Sequence, residues 1–164
     1  MPITTRSEYG MRAMLLLASE EEGQRMSAGE LAERARIPRK YLEQILRDLK
    51  GAGLIRSYAG AHGGYQLTRL PTEITAGEVV RSLDQMNIMS CVGEVSEPSC
   101  DQLLGCSLRP LWQRLYAAMH GVLDSTTLQQ LTEGSCITAI TAPATPATAT
   151  TTTAALSLED QPAR

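Results

Sequence analysis

The sequence predicts a mainly α-helical chain with one small β-hairpin, on three observations. Apolar residues recur with a period near 3.6 in several separate stretches. Capping residues and prolines stand where those stretches begin. One glycine-rich stretch, Arg56 to Leu67, reads instead as strand, turn, strand. With 164 residues the chain is long enough to bury an apolar core without cross-links. No Phe, one Trp and five Tyr require that core to be built from Leu, Ile, Val, Met and Ala.

The first helix is expected from Thr5 to about Ser19, with Tyr9, Ala13, Leu16 and Leu17 on its apolar face and Met11, Met14 and Leu15 widening it. Glu20 to Gln24 ends it. Ser27 and Glu30 form a capping box for a second helix with a short stripe of Leu31, Ala32 and Ala35. That helix stops near Arg36, because the residue before Pro38 is biased away from helical geometry. Pro38 then suits the first position of a third helix. Its Leu42, Ile45, Leu46 and Leu49 share one face, and Gly51 and Gly53 end it. Two short helices joined by about three residues, followed by a hairpin, make a winged helix-turn-helix pattern over residues 1–70.

A second part is expected from 71 to 133. Thr75 and Glu78 form another capping box, before a helix that ends by Gln85. A cysteine-bearing loop follows. A long helix then starts at Pro110, with Leu111, Leu115, Met119, Val122 and Leu123 on one face and Leu108, Trp112 and Tyr116 widening it. So broad a stripe needs cover, and a second copy of the chain is favoured over packing back onto the first helix. Asp124-Ser125 reads as a turn, and Thr126 with Gln129 as the cap of a last short helix containing Leu128 and Leu131. Residues 137–164 hold eight Thr, eight Ala and three Pro, a composition that predicts a disordered tail.

Charge is divided along the chain. Residues 1–70 carry eleven Lys/Arg against eight Asp/Glu, and residues 71–164 four against ten. A basic front and an acidic back suggest two tasks, the first at nucleic acid. A helix entering the major groove must present long polar side chains, and Arg39, Lys40, Tyr41, Glu43, Gln44 and Arg47 stand at the start of the third helix. The hairpin supplies Arg56, Tyr58, His62, Gly63, Gly64 and Tyr65 to the minor groove or the flanking backbone, and Arg6 and Arg12 add phosphate contacts. For any one of these residues a solvated surface position is the simpler reading; the pattern as a whole favours double-stranded DNA. No apolar run approaches the roughly 20 residues that cross a bilayer, so a membrane partner is not expected. The cysteine usage and the start of the chain, which lacks secretory features, point to the cytoplasm. Neither His62 nor His120 has a nucleophile or base motif around it, and an enzyme is not expected.

Cys91, Cys100 and Cys106 are separated by eight and five residues. Three thiolates converging from one loop suit zinc or an iron–sulfur cluster, though the spacing is not that of a zinc ribbon. Free buried thiols or a redox disulfide are the other readings. Cys136 stands apart, at the edge of the tail.

Four segments together carry a family resemblance. They are Ser7 to Met14, Tyr41 to Leu46, Gly60 to Tyr65 with Leu67, and Ile74 to Val80. Over residues 1 to about 133 the chain resembles the winged-helix, iron–sulfur and redox-responsive transcription regulators typified by IscR and NsrR. The resemblance implies a homodimer held by the helix from Leu108 to Leu123, with Leu111, Leu115, Met119 and Val122 at the interface. It implies operator reading by the helix from Pro38 to Lys50, with Glu43 rejecting some sites when no cluster is present. It implies a [2Fe-2S] or [4Fe-4S] cluster on Cys91, Cys100 and Cys106. The fourth ligand departs from the IscR pattern, because Arg109 stands where that type has a His, and an always-protonated guanidinium cannot ligate iron. NsrR-type members use an acidic residue of the partner's first helix, and Glu8 matches that position; Cys136 and His120 stand behind it, and an ordinary first-turn carboxylate is the competing reading. Other members act without a cluster. The function expected is therefore a dimeric regulator that senses iron, redox state or nitric oxide. Two alternatives stay open: a clusterless regulator controlled by thiol oxidation, zinc or a partner protein, and a winged-helix protein–protein adaptor.

Overall fold

The computed structural model describes residues 4–21, 23–60, 63–85, 92 and 106–134. Its elements in chain order are α1 (Thr5–Ala18), α2 (Ala28–Ala35), α3 (Arg39–Gly51), β1 (Ile55–Tyr58), β2 (Gly64–Leu67), α4 (Ala76–Leu83), α5 (Arg109–Ser125) and α6 (Leu128–Thr132). The architecture is mainly α-helical with one antiparallel hairpin, as the periodicities require.

Three of the first four helices start at a side-chain cap, while α3 has none. Thr4, Ser27 and Thr75 accept backbone N–H bonds at the starts of α1, α2 and α4, and at α4 the capping box with Glu78 is complete. Such a cap is worth about 1 kcal/mol. Arg36 closes α2 in the left-handed region, φ 57°, the only non-glycine residue with positive φ among those described. Pro38 is the N-cap of α3 rather than its first residue, because its ψ of 124° is not helical.

The core is continuous from α1 to α6. Ala13, Met14 and Leu17 of α1 meet Leu31 and Ala35 of α2, the α3 face of Leu42, Ile45, Leu46 and Leu49, and Ile55 and Leu67 of the hairpin. Ile74, Val79 and Leu83 around α4 and Leu128 of α6 belong to the same cluster. On α1 the fully buried line runs Ser7, Gly10, Ala13, Met14, Leu17, while Tyr9 and Leu16 are only partly covered. Gly10 lies on this line because α4 packs tightly there: a Cβ at Gly10 would stand 2.1 Å from Leu83 Cδ1.

Two expectations at the C-terminal end are corrected. Asp124 and Ser125 are not a turn; they are the last residues of α5. Asp124 is held in the helix by an ion pair with Arg81 of α4, Oδ1 to NH1 2.7 Å. The last helix is capped one residue later than expected, by Thr127 with Gln130. The shift follows from pairing: Thr75 and Thr127 form an antiparallel bridge, with Ala76 N–H donating to Thr126 O (2.8 Å) and Leu128 N–H to Ile74 O (3.0 Å). Thr127, the bridge partner of Thr75, also caps α6, while the Thr126 hydroxyl donates to Val122 O at 2.7 Å.

Candidate nucleic-acid interface

Helix α3 is divided by its own sequence. Leu42, Ile45, Leu46 and Leu49 have no accessible surface, while Arg39, Lys40, Glu43, Gln44 and Arg47 are exposed on the other side. Arg39 Nε and Glu43 Oε1 pair at 3.2 Å, one turn apart. Tyr41 lies between the two faces and meets Tyr9 edge-on, ring centroids 5.8 Å apart. Arg6 pairs with Asp48 of α3, so its charge is compensated within the fold. Arg12 is likewise engaged by Glu8, at 2.5 Å.

The wing follows directly. Its register pairs Ile55 with Leu67, Arg56 with Gln66, Ser57 with Tyr65 and Tyr58 with Gly64. Lys50 Nζ donates to Ser57 Oγ at 2.7 Å and ties the end of α3 to β1. A third segment completes the sheet: Met26 N–H donates to Tyr65 O (3.1 Å) and Tyr65 N–H to Met26 O (2.8 Å). This approach explains the wing glycines. A Cβ at Gly64 would stand 2.7 Å from Met26 O, and one at Gly63 2.3 Å from Tyr58 O. Both positions need glycine for backbone packing, whatever else they touch. Arg56 is exposed and Tyr65 packs partly on the core. His62 lies outside the described residues.

Sequence reasoning missed Arg25. It is exposed, and its guanidinium lies 3.6 Å from the centroid of the Tyr58 ring. Only a sheet pairing that the sequence does not announce brings these two residues together.

The distribution of paired charge is uneven. Arg6, Arg12, Arg34, Arg39, Arg69 and Arg81 all form ion pairs. Among the described residues, Lys40, Arg47 and Lys50 of α3, Arg56 of the wing and Arg25 beside it form none, and neither do Arg36, Arg109 and Arg114. Uncompensated cations beside a sheet tip and a solvent-facing helix are what a polyanion attracts.

The cysteine-bearing segment joins two fixed points. At its start, Asp84 accepts hydrogen bonds from Thr4 N–H (3.1 Å), the Thr4 hydroxyl (2.7 Å) and the Ser7 hydroxyl (2.5 Å), clamping the end of α4 to the start of α1. Burial alone would raise the Asp84 pKa, but the Ser7 and Thr4 donors outweigh it and hold the carboxyl below its usual value. Glu78 is similarly held down: burial pushes upward, and the Thr75 amide and Arg69 prevail. At the far end, Cys106 is a half-buried free thiol whose carbonyl accepts from Arg109 N–H at 3.3 Å. Cys91, Cys100 and Cys136 lie outside the described residues. Glu8 is exposed on the first turn of α1, facing Arg12. Among the described residues, no three of His, Cys, Asp or Glu converge on a point that would hold a metal ion. Cys106 and Glu8 alone do not make a ligand set for an iron–sulfur cluster.

Helix α5 contains no buried residue. Leu108, Leu111, Leu115 and Val122 are between 48% and 57% exposed, and Met119 is half-buried. Its other side lies on α4, where Gly77 lets Asp124 approach; a Cβ there would stand 2.0 Å from Asp124 Oδ1. His120 stacks on Tyr116, with centroids 4.1 Å apart, and faces Arg81 at 3.4 Å. Among the described residues, no helix is long and apolar enough to cross a membrane.

Residues 3–134 match the family model described as "Rrf2: Iron-dependent Transcriptional regulator". Protein rrf2 of Nitratidesulfovibrio vulgaris is 39% identical over 132 residues, covering 80% of this chain and 87% of that protein. CymR of Bacillus subtilis is 37% identical over 131 residues, covering 80% of this chain and 89% of CymR. Its solved structure, described as that of the global cysteine regulator, superposes with a TM-score of 0.66 over 80% of this chain and 96% of that one. The structure of T. potens IscR superposes with a TM-score of 0.65 at 30% identity, over 81% and 87% of the two chains. The chain thus belongs to the Rrf2 family, whose members are homodimeric, DNA-binding transcriptional regulators and not enzymes.

Proposed function

We propose that this chain grips operator DNA with Arg39, Lys40, Tyr41, Glu43, Gln44 and Arg47 of α3 in the major groove and the β1–β2 wing on the flanking strand, and that thiol chemistry in the segment between α4 and α5 sets its affinity. The carrying observation is the set of uncompensated cations on α3 and the wing, above a helix face that is otherwise fully buried. Arg and Gln pair with guanine and adenine edges, and a carboxylate with cytosine, which gives α3 the means to discriminate sequence. Two copies joined along Leu111, Leu115, Met119 and Val122 of α5 present two such helices, and the operator must match their spacing. The thiol-controlled reading is supported by Cys106, a half-buried free thiol at the start of that helix, and by the similarity to CymR. A change in the segment between α4 and α5 acts on both subunit contacts and α4, and through the Asp84 clamp on α1.

A second reading is favoured by the spacing of Cys91, Cys100 and Cys106 and by the similarity to T. potens IscR. In it those three thiolates, with Glu8 of the partner subunit, hold a [2Fe-2S] or [4Fe-4S] cluster. The cluster would supply a centre that oxidants or nitric oxide can alter. Anaerobic purification, with a visible spectrum and iron and acid-labile sulfide analysis, separates the two. A colourless protein after reconstitution, whose operator affinity falls or rises at least several-fold on mild oxidation and returns with thiol reductant, is the expected result. A brown protein holding iron and sulfide overturns the clusterless reading in favour of the second. Absence of salt-dependent binding to its own promoter would overturn DNA recognition itself.

A further inference from the structure

We propose that Arg25, held on the face of Tyr58, is a phosphate-contacting residue of the wing. The inference rests on the placement of the wing at DNA. Arg25 belongs to no part of the helix-turn-helix; it lies in the linker between α1 and α2. The linker joins the hairpin because Met26 pairs with Tyr65 on the free edge of β2. Tyr58 is on β1, at the other edge of β2, opposite Gly64 in the last pair before the turn. The Arg25 guanidinium thus reaches across β2 and comes to rest 3.6 Å from the ring centroid of Tyr58.

The chemistry of that stack favours an anion. The face of the guanidinium is used by the ring, while its N–H donors, which lie in its plane, point outward. Among the described residues no carboxylate pairs with it, so its charge is not already spent within the fold. The stack also limits its rotamers, so less side-chain entropy is lost when an oxyanion arrives. Arg56 stands two residues before Tyr58 on the same strand and is likewise exposed without a carboxylate partner. A phosphodiester running past the wing would meet both. The contact is to backbone, so it adds affinity on any sequence and carries none of the base discrimination assigned to α3.

The test compares full-length wild type, Arg25→Gln, Arg25→Lys and Tyr58→Leu on a duplex of the chain's own promoter and on a random duplex of equal length, each over a range of salt. Arg25→Gln should weaken both complexes by a similar factor. It should also reduce the steepness of log K against log salt by about one. Arg25→Lys should restore most of the steepness, since the charge remains. Tyr58→Leu should weaken both complexes with little change in steepness, since it removes the platform and keeps the cation. Unchanged affinity and steepness in Arg25→Gln would overturn the assignment. So would a weakened complex with unchanged steepness in that variant, because the role would then be to brace the sheet. If wild type itself binds neither duplex with salt dependence, the failure belongs to the DNA-binding reading and not to Arg25 alone.

Discussion

Helices α3 and α5 carry apolar stripes of similar length, and the chain treats them differently. On α3 the four stripe residues are fully buried against α1, α2 and the hairpin. On α5 the stripe of Leu108, Leu111, Leu115 and Val122 remains about half exposed, although the opposite side of the helix is fixed to α4 by Arg81 and Asp124. The first helix is finished within one chain. The second has its polar side anchored and its apolar side left open, the reverse of what folding alone would favour. The difference teaches that a stripe in sequence announces that a face will be covered and does not name the cover. In the dimer proposed above, that arrangement would couple the fold of each subunit to its partner.

Removing a side chain from the finished helix should have the largest effect. Leu46→Ala should lower unfolding free energy by about 2–5 kcal/mol, because it opens a cavity in a residue with no exposed surface. Denaturant melts measure this. The comparison fails if Leu115→Ala, on the open helix, costs as much in a dilute, monomeric sample.

Next comes the open face itself. Leu115→Asp should leave the helical content intact and shift the dimer to monomer in sedimentation velocity. Loss of one central apolar contact of this kind is worth about 2 kcal/mol or more, roughly a thirty-fold weaker dimer. A dimer of undiminished strength would mean that α5 is covered by something other than a second copy.

A smaller effect is expected in the wing. Gly64→Ala should cost about 1–3 kcal/mol, because its Cβ meets Met26 backbone, which cannot swing aside as a side chain would. Hydrogen exchange at the Met26 and Tyr65 amides should accelerate with it. Gly77→Ala makes a closer contact on paper, but with the end of the Asp124 side chain, which can rotate away. It should therefore be milder and should act chiefly by breaking the Arg81 pair.

The smallest effect is electrostatic. Asp84 has its pKa depressed in the folded state, so its contribution is present above the ordinary Asp range and is lost as pH falls through the folded value. Asp84→Asn should thus be less stable than wild type near neutrality, and the two melting curves should converge in acid. A gap that persists undiminished at low pH would show that the clamp on Thr4 and Ser7 does not depend on the carboxylate charge.

Much of this protein was legible before its tertiary structure. The Thr75–Glu78 box, the α3 stripe and the hairpin in the Arg56–Leu67 stretch are local signals found at their expected places. At Ser27 only half of the expected box forms, since Ser27 accepts from Glu30 N–H while the Glu30 carboxylate turns to Arg34. The errors are equally instructive. Asp124-Ser125 looks like a turn because Asp and Ser favour turns, but the ion pair from α4 keeps Asp124 helical. Thr126 looks like a cap as good as Thr127, but the bridge to Thr75 sets Thr127 at the start of α6 while the Thr126 hydroxyl turns back to Val122 O. Among candidate site residues, the exposed side of α3 was readable from its period. Arg25 was not, since it reaches Tyr58 through a pairing between segments far apart in sequence.

The sequence by itself determined which segments are helical, which faces are apolar and which residue types are available to meet DNA, because helical period, capping and turn chemistry act within a few residues. The tertiary structure alone decided which charges are cancelled and which are left over. Arg6 and Arg12 are basic residues like Arg25 and Arg47 in composition, yet the first two meet carboxylates and the latter two do not. Coulombic compensation depends on distances between elements, and those distances exist only after the core has formed.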